Sequence, residues 1–255
     1  MQQENWQEFW DKFLLNRYGK EEAQTEDDLF LQVARTVNRK PIEKNVFDTI
    51  ITQIIDDLSL SREDILVDFC CGNGLFTYEL KDKVRQIIGV DFSQNMLDSA
   101  HRYKSAENIS YCLGSVAGYM KTFKRDWPGT MPGKYLMNDS LAYFSAAGLE
   151  GLLTDILAIA KGFTFLTRGV PNDDLKWNYY NTEERKQLYY ANIAKGDFSN
   201  DGLGSWWKPG DILAICTKLD LKCIIRNQEL PLSDYRMDVV ISNNSSTNSQ
   251  RHSNN

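Results

Sequence analysis

Two apolar runs that each end in a carboxylate constrain this chain more than anything else in it. Ile65-Leu66-Val67-Asp68-Phe69 leads into Cys70-Cys71-Gly72-Asn73-Gly74, and Ile87-Ile88-Gly89-Val90 ends in Asp91. Short continuous apolar runs bounded by turn residues are the mark of strands buried on both faces, as in a parallel sheet. The first run delivers an acid and a small-residue turn to the start of a helix, and the second delivers an acid 17 residues past Gly74. A backbone that can approach a ligand at a helix N-terminus, with a carboxylate placed to reach a ribose, points to a nucleoside-containing cofactor.

With 255 residues, 42% of them hydrophobic, the chain can bury one substantial core with room for an accessory element. Its five cysteines, Cys70, Cys71, Cys112, Cys216 and Cys223, lack the paired spacing of a zinc site or a disulfide framework. They read as reduced thiols, and no metal site is expected. A net charge of -6 argues against broad contact with a phosphate backbone, so a small-molecule substrate is expected and a nucleic-acid partner is not. The local patch of Lys121, Lys124 and Arg125 reads as solvated surface. Met1 is not followed by a basic region and an apolar stretch, and no apolar run approaches the roughly 20 residues of a membrane span. A cytoplasmic protein without membrane contact is therefore expected, its oligomeric state open.

Along the chain, Trp6, Phe9, Trp10, Phe13 and Leu14 recur at the spacing of an amphipathic helix. Pro41 reads as the opening of a second helix with Ile42, Val46, Phe47, Ile50, Ile51, Ile54, Ile55 and Leu58 on one face, ending at the polar connector 61–64. Strand patterns follow near 65–69, 86–91, 109–113, 134–138 and 163–167, separated by helical patterns near 75–83, 93–104 and 149–161. Such alternation implies a parallel sheet with helices on both faces. Trp127-Pro128-Gly129 and Met131-Pro132-Gly133 supply turn signals, so residues 124–133 are expected to form a loop. An insertion at 170–208 mixes aromatic and charged residues, a helix over 209–219 follows, and strands at 222–228 and 235–241 form a hairpin. The polar residues 242–255 lack apolar anchors and are expected to be disordered.

Taken together, residues 42–241 resemble the class I, Rossmann-like S-adenosylmethionine-dependent methyltransferases. The family's first motif reads as an apolar strand, an acid, one apolar residue and Gly-x-Gly-x-Gly, places taken here by Asp68, Phe69, Cys70, Cys71, Gly72, Asn73 and Gly74. Cys70 stands where the first glycine is expected. A Cβ is disfavoured at positive φ, so either the turn is relaxed there or the side chain fits a small gap beside the cofactor. Gly89-Val90-Asp91-Phe92-Ser93-Gln94-Asn95-Met96-Leu97 resembles the second motif almost residue for residue. Asn108-Ile109-Ser110-Tyr111-Cys112-Leu113-Gly114-Ser115 resembles the third strand and its adenine-contacting end, with Ser115 in place of an Asp.

The resemblance implies a seven-stranded, mostly parallel sheet with an antiparallel last strand, a helical cap over residues 1–41, a methyltransferase domain over 42–241 and a lid at 170–208. It implies S-adenosyl-L-methionine as cofactor: Asp68 for the ammonium, Cys70, Gly72, Asn73 and Gly74 for the methionine portion, Asp91 for the ribose diol. Phe92, Met96, Gly114 and Ser115 would serve the adenine. Asn138 and Asp139, ending the fourth strand of this domain, fall beside the transferable methyl and the acceptor, as catalytic candidates. Tyr18, Arg168, Trp177, Tyr180, Trp206 and Arg236 are candidates for the acceptor pocket, although a structural ion pair is the preferred reading of Arg236 and a surface lid is an equal reading of the insertion's aromatics.

Neither His101, on the helix after the second strand, nor His252 in the tail suits a catalytic base, which leaves Asp139, another carboxylate or a tyrosine. Methyl transfer by alignment alone is also open. The expected reaction is transfer to a small acceptor: O-methylation of a sugar or related metabolite first, N-methylation of a small amine second. A cofactor-binding protein of this fold without catalysis is the reading from another class, raised by Cys70 and Ser115. A nicotinamide-dependent oxidoreductase fits less well, because the third glycine of Gly-x-Gly-x-x-Gly would fall at Thr77.

Overall fold

The computed structural model describes residues 3–195 and 203–243. Two helices, α1 (Gln3–Tyr18) and α2 (Glu26–Gln32), open the chain. Thr25 caps α2 in a reciprocal box, its hydroxyl accepting from Asp28 N–H while the Asp28 carboxylate accepts from Thr25 N–H. A two-stranded ribbon follows, β1 (Thr36–Val37) and β2 (Lys40–Pro41), turned by Asn38 and Arg39, which both hold positive φ. Pro41 therefore ends a strand, and α3 spans Lys44–Leu58, three residues later than the proline suggests. Its buried Phe47, Ile50, Ile54 and Leu58 lie on one face at helical spacing.

From there strands and helices alternate: β3 (Ile65–Phe69), α4 (Leu75–Glu79), β4 (Gln86–Asp91), α5 (Gln94–Tyr103), β5 (Ile109–Leu113), α6 (Val116–Asp126), β6 (Lys134–Asn138), α7 (Ala146–Ile159) and β7 (Thr164–Pro171). After the short α8 (Lys176–Tyr179) and α9 (Glu183–Lys195), the chain finishes with α10 (Pro209–Lys218), β8 (Leu221–Asn227) and β9 (Arg236–Asn243). Seven strands make one sheet in the order β5-β4-β3-β6-β7-β9-β8, all parallel except β9, which runs antiparallel to both neighbours.

Strand alternation divides the core in two. Ile65, Val67 and Phe69 of β3 join Ile88 and Val90 against α6, α7 and α10, while Leu66, Ile87, Leu136 and Leu166 on the other face meet α3 and α4.

The structure departs from expectation in the third crossover. Helix α6 runs to Asp126, so the loop expected from residue 124 starts only at Trp127. Val116, Tyr119, Met120 and Phe123 sit at helical spacing and are buried, and the two Pro-Gly turn signals lie wholly beyond them. Val170 and Pro171 belong to β7 rather than to the insertion, and Ser242 with Asn243 completes β9 rather than opening a tail. The remainder of the expected tail, 244–255, and residues 196–202 of the insertion lie outside the described residues. No helix among the described residues is long and apolar enough to cross a membrane.

Candidate active site

The sheet order reverses at β3: the chain steps outward to β4 and β5, then returns to place β6 on the opposite side. Crevices at the carboxyl ends of strands form at such switch points. Here a cleft of about 400 Å³ opens at the ends of β3, β4 and β6, with α1 across its mouth.

Asp68, 2% exposed, accepts a hydrogen bond from Thr77 Oγ1 at 2.6 Å. Burial pushes its carboxyl up to about 7, with Asp91 adding to the rise and Thr77 opposing it. Asp91 accepts from Gly72 N–H and Ser93 N–H, each at 2.9 Å, yet burial still pushes it up to about 6. Among the described residues neither carboxylate forms an ion pair. Two buried acids thus face one cleft without a cation, a deficit that a ligand carrying an ammonium and a diol would fill.

Between them lies the turn. Cys70 holds φ +55°, so the turn is not relaxed at the cysteine: the residue adopts the left-handed conformation glycine usually takes, and its side chain lines the cleft. Burial raises both the Cys70 and Cys71 thiols well above their ordinary range, which keeps them protonated and weakly nucleophilic. The Asn73 amide donates to Leu29 O at 2.8 Å and to Gln32 Oε1 at 2.9 Å, fastening the turn to α2. Gly74 leaves room beneath the turn for Tyr111, whose hydroxyl donates to Lys104 O at 2.8 Å; the same ring lies 2.9 Å from where a Cβ on Gly89 would stand.

Across the cleft, β6 ends in Asn138, Asp139 and Ser140. Asp139 holds φ +54°, and both its carboxylate oxygens are engaged: Oδ2 by the Arg35 guanidinium and Oδ1 by Arg236 Nη1 at 2.6 Å. Arg236 Nη1 also donates to Gly169 O at 2.8 Å. Gly169 sits at a register shift between β7 and β9, with φ +64°, and a Cβ there would collide with the Asp139 carboxylate. Arg35 packs over the Phe76 ring at 5.0 Å, and burial together with the charges of Arg236 and Arg168 pulls it down to about 9. Trp6 and Trp10 of α1 meet Tyr143 at 4.4 and 5.9 Å. The helix is pinned by Gln7 Nε2 donating to Phe92 O at 3.2 Å and by the Ser93 hydroxyl donating to Asp11.

The cleft collects Asp68, Cys70, Gly72, Asn73, Asp91, Phe92, Met96, Asn138, Asp139 and Arg236 from the sequence candidates. Other candidates fall elsewhere. Gly74 serves the packing around Tyr111, and Gly114 and Ser115 lie on a shallower depression with Cys112 and Trp127, where the Ser115 hydroxyl caps α6 by accepting from Gly118 N–H at 3.1 Å. Arg168, 1% exposed, is structural: it donates to Asp238 Oδ2 from Nε at 3.2 Å and Nη2 at 3.0 Å, and to Ile50 O at 3.2 Å. Tyr18 packs on Phe13. Trp177, Tyr180 and Trp206 pack on one another and on Tyr179, Tyr189 and Tyr235, outside the cleft, to which the insertion contributes Leu203. His101 stacks on Tyr111 at the outside of α5.

Trp6 and Trp10 read as a packed helical stripe within the cap expected over residues 1–41; they pack against Tyr143 and line the cleft. Other cleft residues carry no site signal in the sequence. Arg35, Tyr143 and Phe144 belong to no motif; the ribbon that carries Arg35 inward is too short to leave a periodic pattern.

A methyltransferase-domain family model matches residues 66–160. A 23S rRNA (uracil(1939)-C(5))-methyltransferase, RlmD of Legionella pneumophila, is 24% identical over 163 residues, 55% of this chain and 34% of that protein. The chain thus spans about a third of the length of that relative. Magnesium protoporphyrin IX methyltransferase of Synechocystis PCC 6803, solved with bound SAH, superposes with a TM-score of 0.59 at 12% identity, covering 95% of this chain and all of that one. A SAM-dependent methyltransferase of Anabaena variabilis gives 0.58 at 17% identity, with 94% of each chain covered. With the strand order and the cleft at its switch point, these likenesses define the fold: it is that of the class I, Rossmann-like S-adenosylmethionine-dependent methyltransferases. The segment that the family model matches runs from β3 through α7, behind the two N-terminal helices.

Proposed function

We propose that this protein transfers a methyl group from S-adenosyl-L-methionine to a small-molecule acceptor, with a hydroxyl of a sugar or related metabolite as the first acceptor class. The observation that carries the reading is the pair of buried, cation-free carboxylates, Asp68 and Asp91, facing one cleft from adjacent strand ends. Asp68 would take the ammonium and Asp91 the ribose diol, whose hydroxyls donate to oxygens already oriented by Gly72 and Ser93 N–H. Phe92, Met96 and Val116 offer apolar surface to the adenine. When bound, the cofactor supplies an electrophilic methyl on a sulfonium.

The remaining work falls to the chain. Asn138 and Asp139 border the acceptor side, and Trp6, Trp10 and Tyr143 close the cleft, which excludes water and aligns the acceptor. Asp139, tied to two guanidiniums, fits a positioning role better than that of a free base. Two cationic side chains on the acceptor side favour a hydroxyl acceptor over a cationic amine. The net charge of -6 supports a small acceptor over RNA.

The test is calorimetric titration with S-adenosylmethionine and S-adenosylhomocysteine. Micromolar binding by the wild type, weakened about 100-fold in Asp91→Asn as two charge-assisted hydrogen bonds are lost, is the expected result. Absence of binding to the folded wild type would overturn the reading. Release of S-adenosylhomocysteine in an acceptor screen then separates an enzyme from a binding protein.

A further inference from the structure

Three features at the acceptor end of the cleft are built around charge. Two guanidiniums, Arg35 and Arg236, share the single carboxylate of Asp139, which among the described residues leaves one positive charge in excess in the cluster. All three side chains are about one-fifth exposed, so this charge is neither solvated as a surface pair nor sealed as a core pair. The backbone bends to hold the cluster: Asp139 takes positive φ, and the irregularity between β7 and β9 puts Gly169 under its carboxylate. Such local strain persists where the surrounding structure over-determines it. The nearby carboxylate of Asp238 is already matched by Arg168 and does not offset the excess. Arg35 lies on Phe76, and Tyr143 and Phe144 line the same cleft, so an apolar wall adjoins the cationic end.

We infer that the Arg35–Asp139–Arg236 cluster is the acceptor-recognition site, and that it takes an acceptor bearing a carboxylate or a phosphoryl or phosphonyl group beside an apolar or ring-shaped body. Guanidiniums recognise planar and tetrahedral oxyanions through paired N–H donors, and Asp139 holds the two forks at a fixed separation. The inference rests on the methyltransferase reading and narrows its acceptor to an acidic one.

The test uses simple probes on the protein saturated with S-adenosylhomocysteine and, in parallel, on the ligand-free protein. Benzoate and phenylphosphonate are compared with benzyl alcohol by calorimetric or ligand-observed NMR titration near neutral pH, which also separates a carboxylate preference from a phosphonate one. At least one anion is expected to bind about tenfold more tightly than the alcohol, and Arg35→Gln and Arg236→Gln each to bring the ratio to about twofold or less, with Arg236→Lys retaining most of the preference. Because a glutamine variant can fail to fold, the wild type carries its own check: raising NaCl from about 20 to about 300 mM weakens anion binding severalfold and leaves the alcohol unchanged. Equal affinities, no anion binding at about 10 mM, or a preference that survives in both glutamine variants would overturn the inference. Failure of S-adenosylhomocysteine to bind would instead overturn the methyltransferase reading, while the ligand-free titrations still report on the anion site.

Discussion

Cys70 is where the chain departs from its motif, and the cost is local. A side chain in the left-handed region costs about 1–2 kcal/mol, part of which glycine gives back as unfolded-state entropy. Cys70→Gly is therefore expected to stabilise the protein by about 0.5–1 kcal/mol and raise Tm by about 2 °C in scanning calorimetry, and an unchanged or lower Tm would mean that thiol packing outweighs the strain. Asp68 and Asp91 carry the opposite kind of cost, in ionisation rather than conformation. Both carboxyls sit above their ordinary 3.8, at about 7 and about 6, so the folded chain holds protons the unfolded chain releases. Their contribution to stability accordingly falls as pH rises from about 4 to about 7. A ligand that sets an ammonium and a diol on the ionised forms shows the reverse: S-adenosylhomocysteine affinity is expected to rise by up to about tenfold per unit between about pH 5.5 and about pH 7 and then level off. Titration at four or five pH values checks this, and Asp68→Asn is expected to flatten most of the slope.

At the scale of elements, the strands were readable because burial on both faces leaves continuous apolar runs, and β3, with every residue buried, left the clearest one. Helix α6 was less readable. Its burying residues begin directly after a cap serine and are followed by two Pro-Gly turns, so local turn signals masked its end. The β1–β2 ribbon is two residues per strand and has no period to detect. Arg168 was misread for a related reason: a charged residue at the end of a buried strand looks like site chemistry until its partner, 70 positions away, is known. That pair ties β7 to β9, and the Ile50 carbonyl adds α3. Asp238→Ala, which strands the arginine in the core, is expected to cost about 3–5 kcal/mol in urea denaturation, whereas a loss under about 1 kcal/mol would mean water reaches Arg168. Ser115→Ala removes only a cap, with about 1 kcal/mol expected.

For the molecule as a whole, the half of the cleft proposed for the nucleoside was legible because Asp68, Asp91 and the turn between them lie on consecutive elements at short range. On the side proposed for the acceptor, Asp139 and Arg236 were legible as separate candidates, but their union with Arg35 was not, since the three meet only through the fold, from the edge of the ribbon, the end of β6 and the antiparallel β9. A long-range cluster leaves no spacing to read. The same assembly logic reaches beneath the cofactor turn, where Tyr111 of β5 fills the space that Gly74 and Gly89 leave open. Those three positions are coupled sterically. Alanine at Gly89 is barred while the tyrosine stays, because the ring stands 2.9 Å from the new methyl and the Cys71 sulfur 3.0 Å from it. Replacement of the tyrosine by a smaller residue would open a void first and tolerance second. The order in which substitutions can be accommodated at Gly89 is therefore set by sterics, with the aromatic yielding before the glycine, whereas Gly74 is held by its positive φ as well.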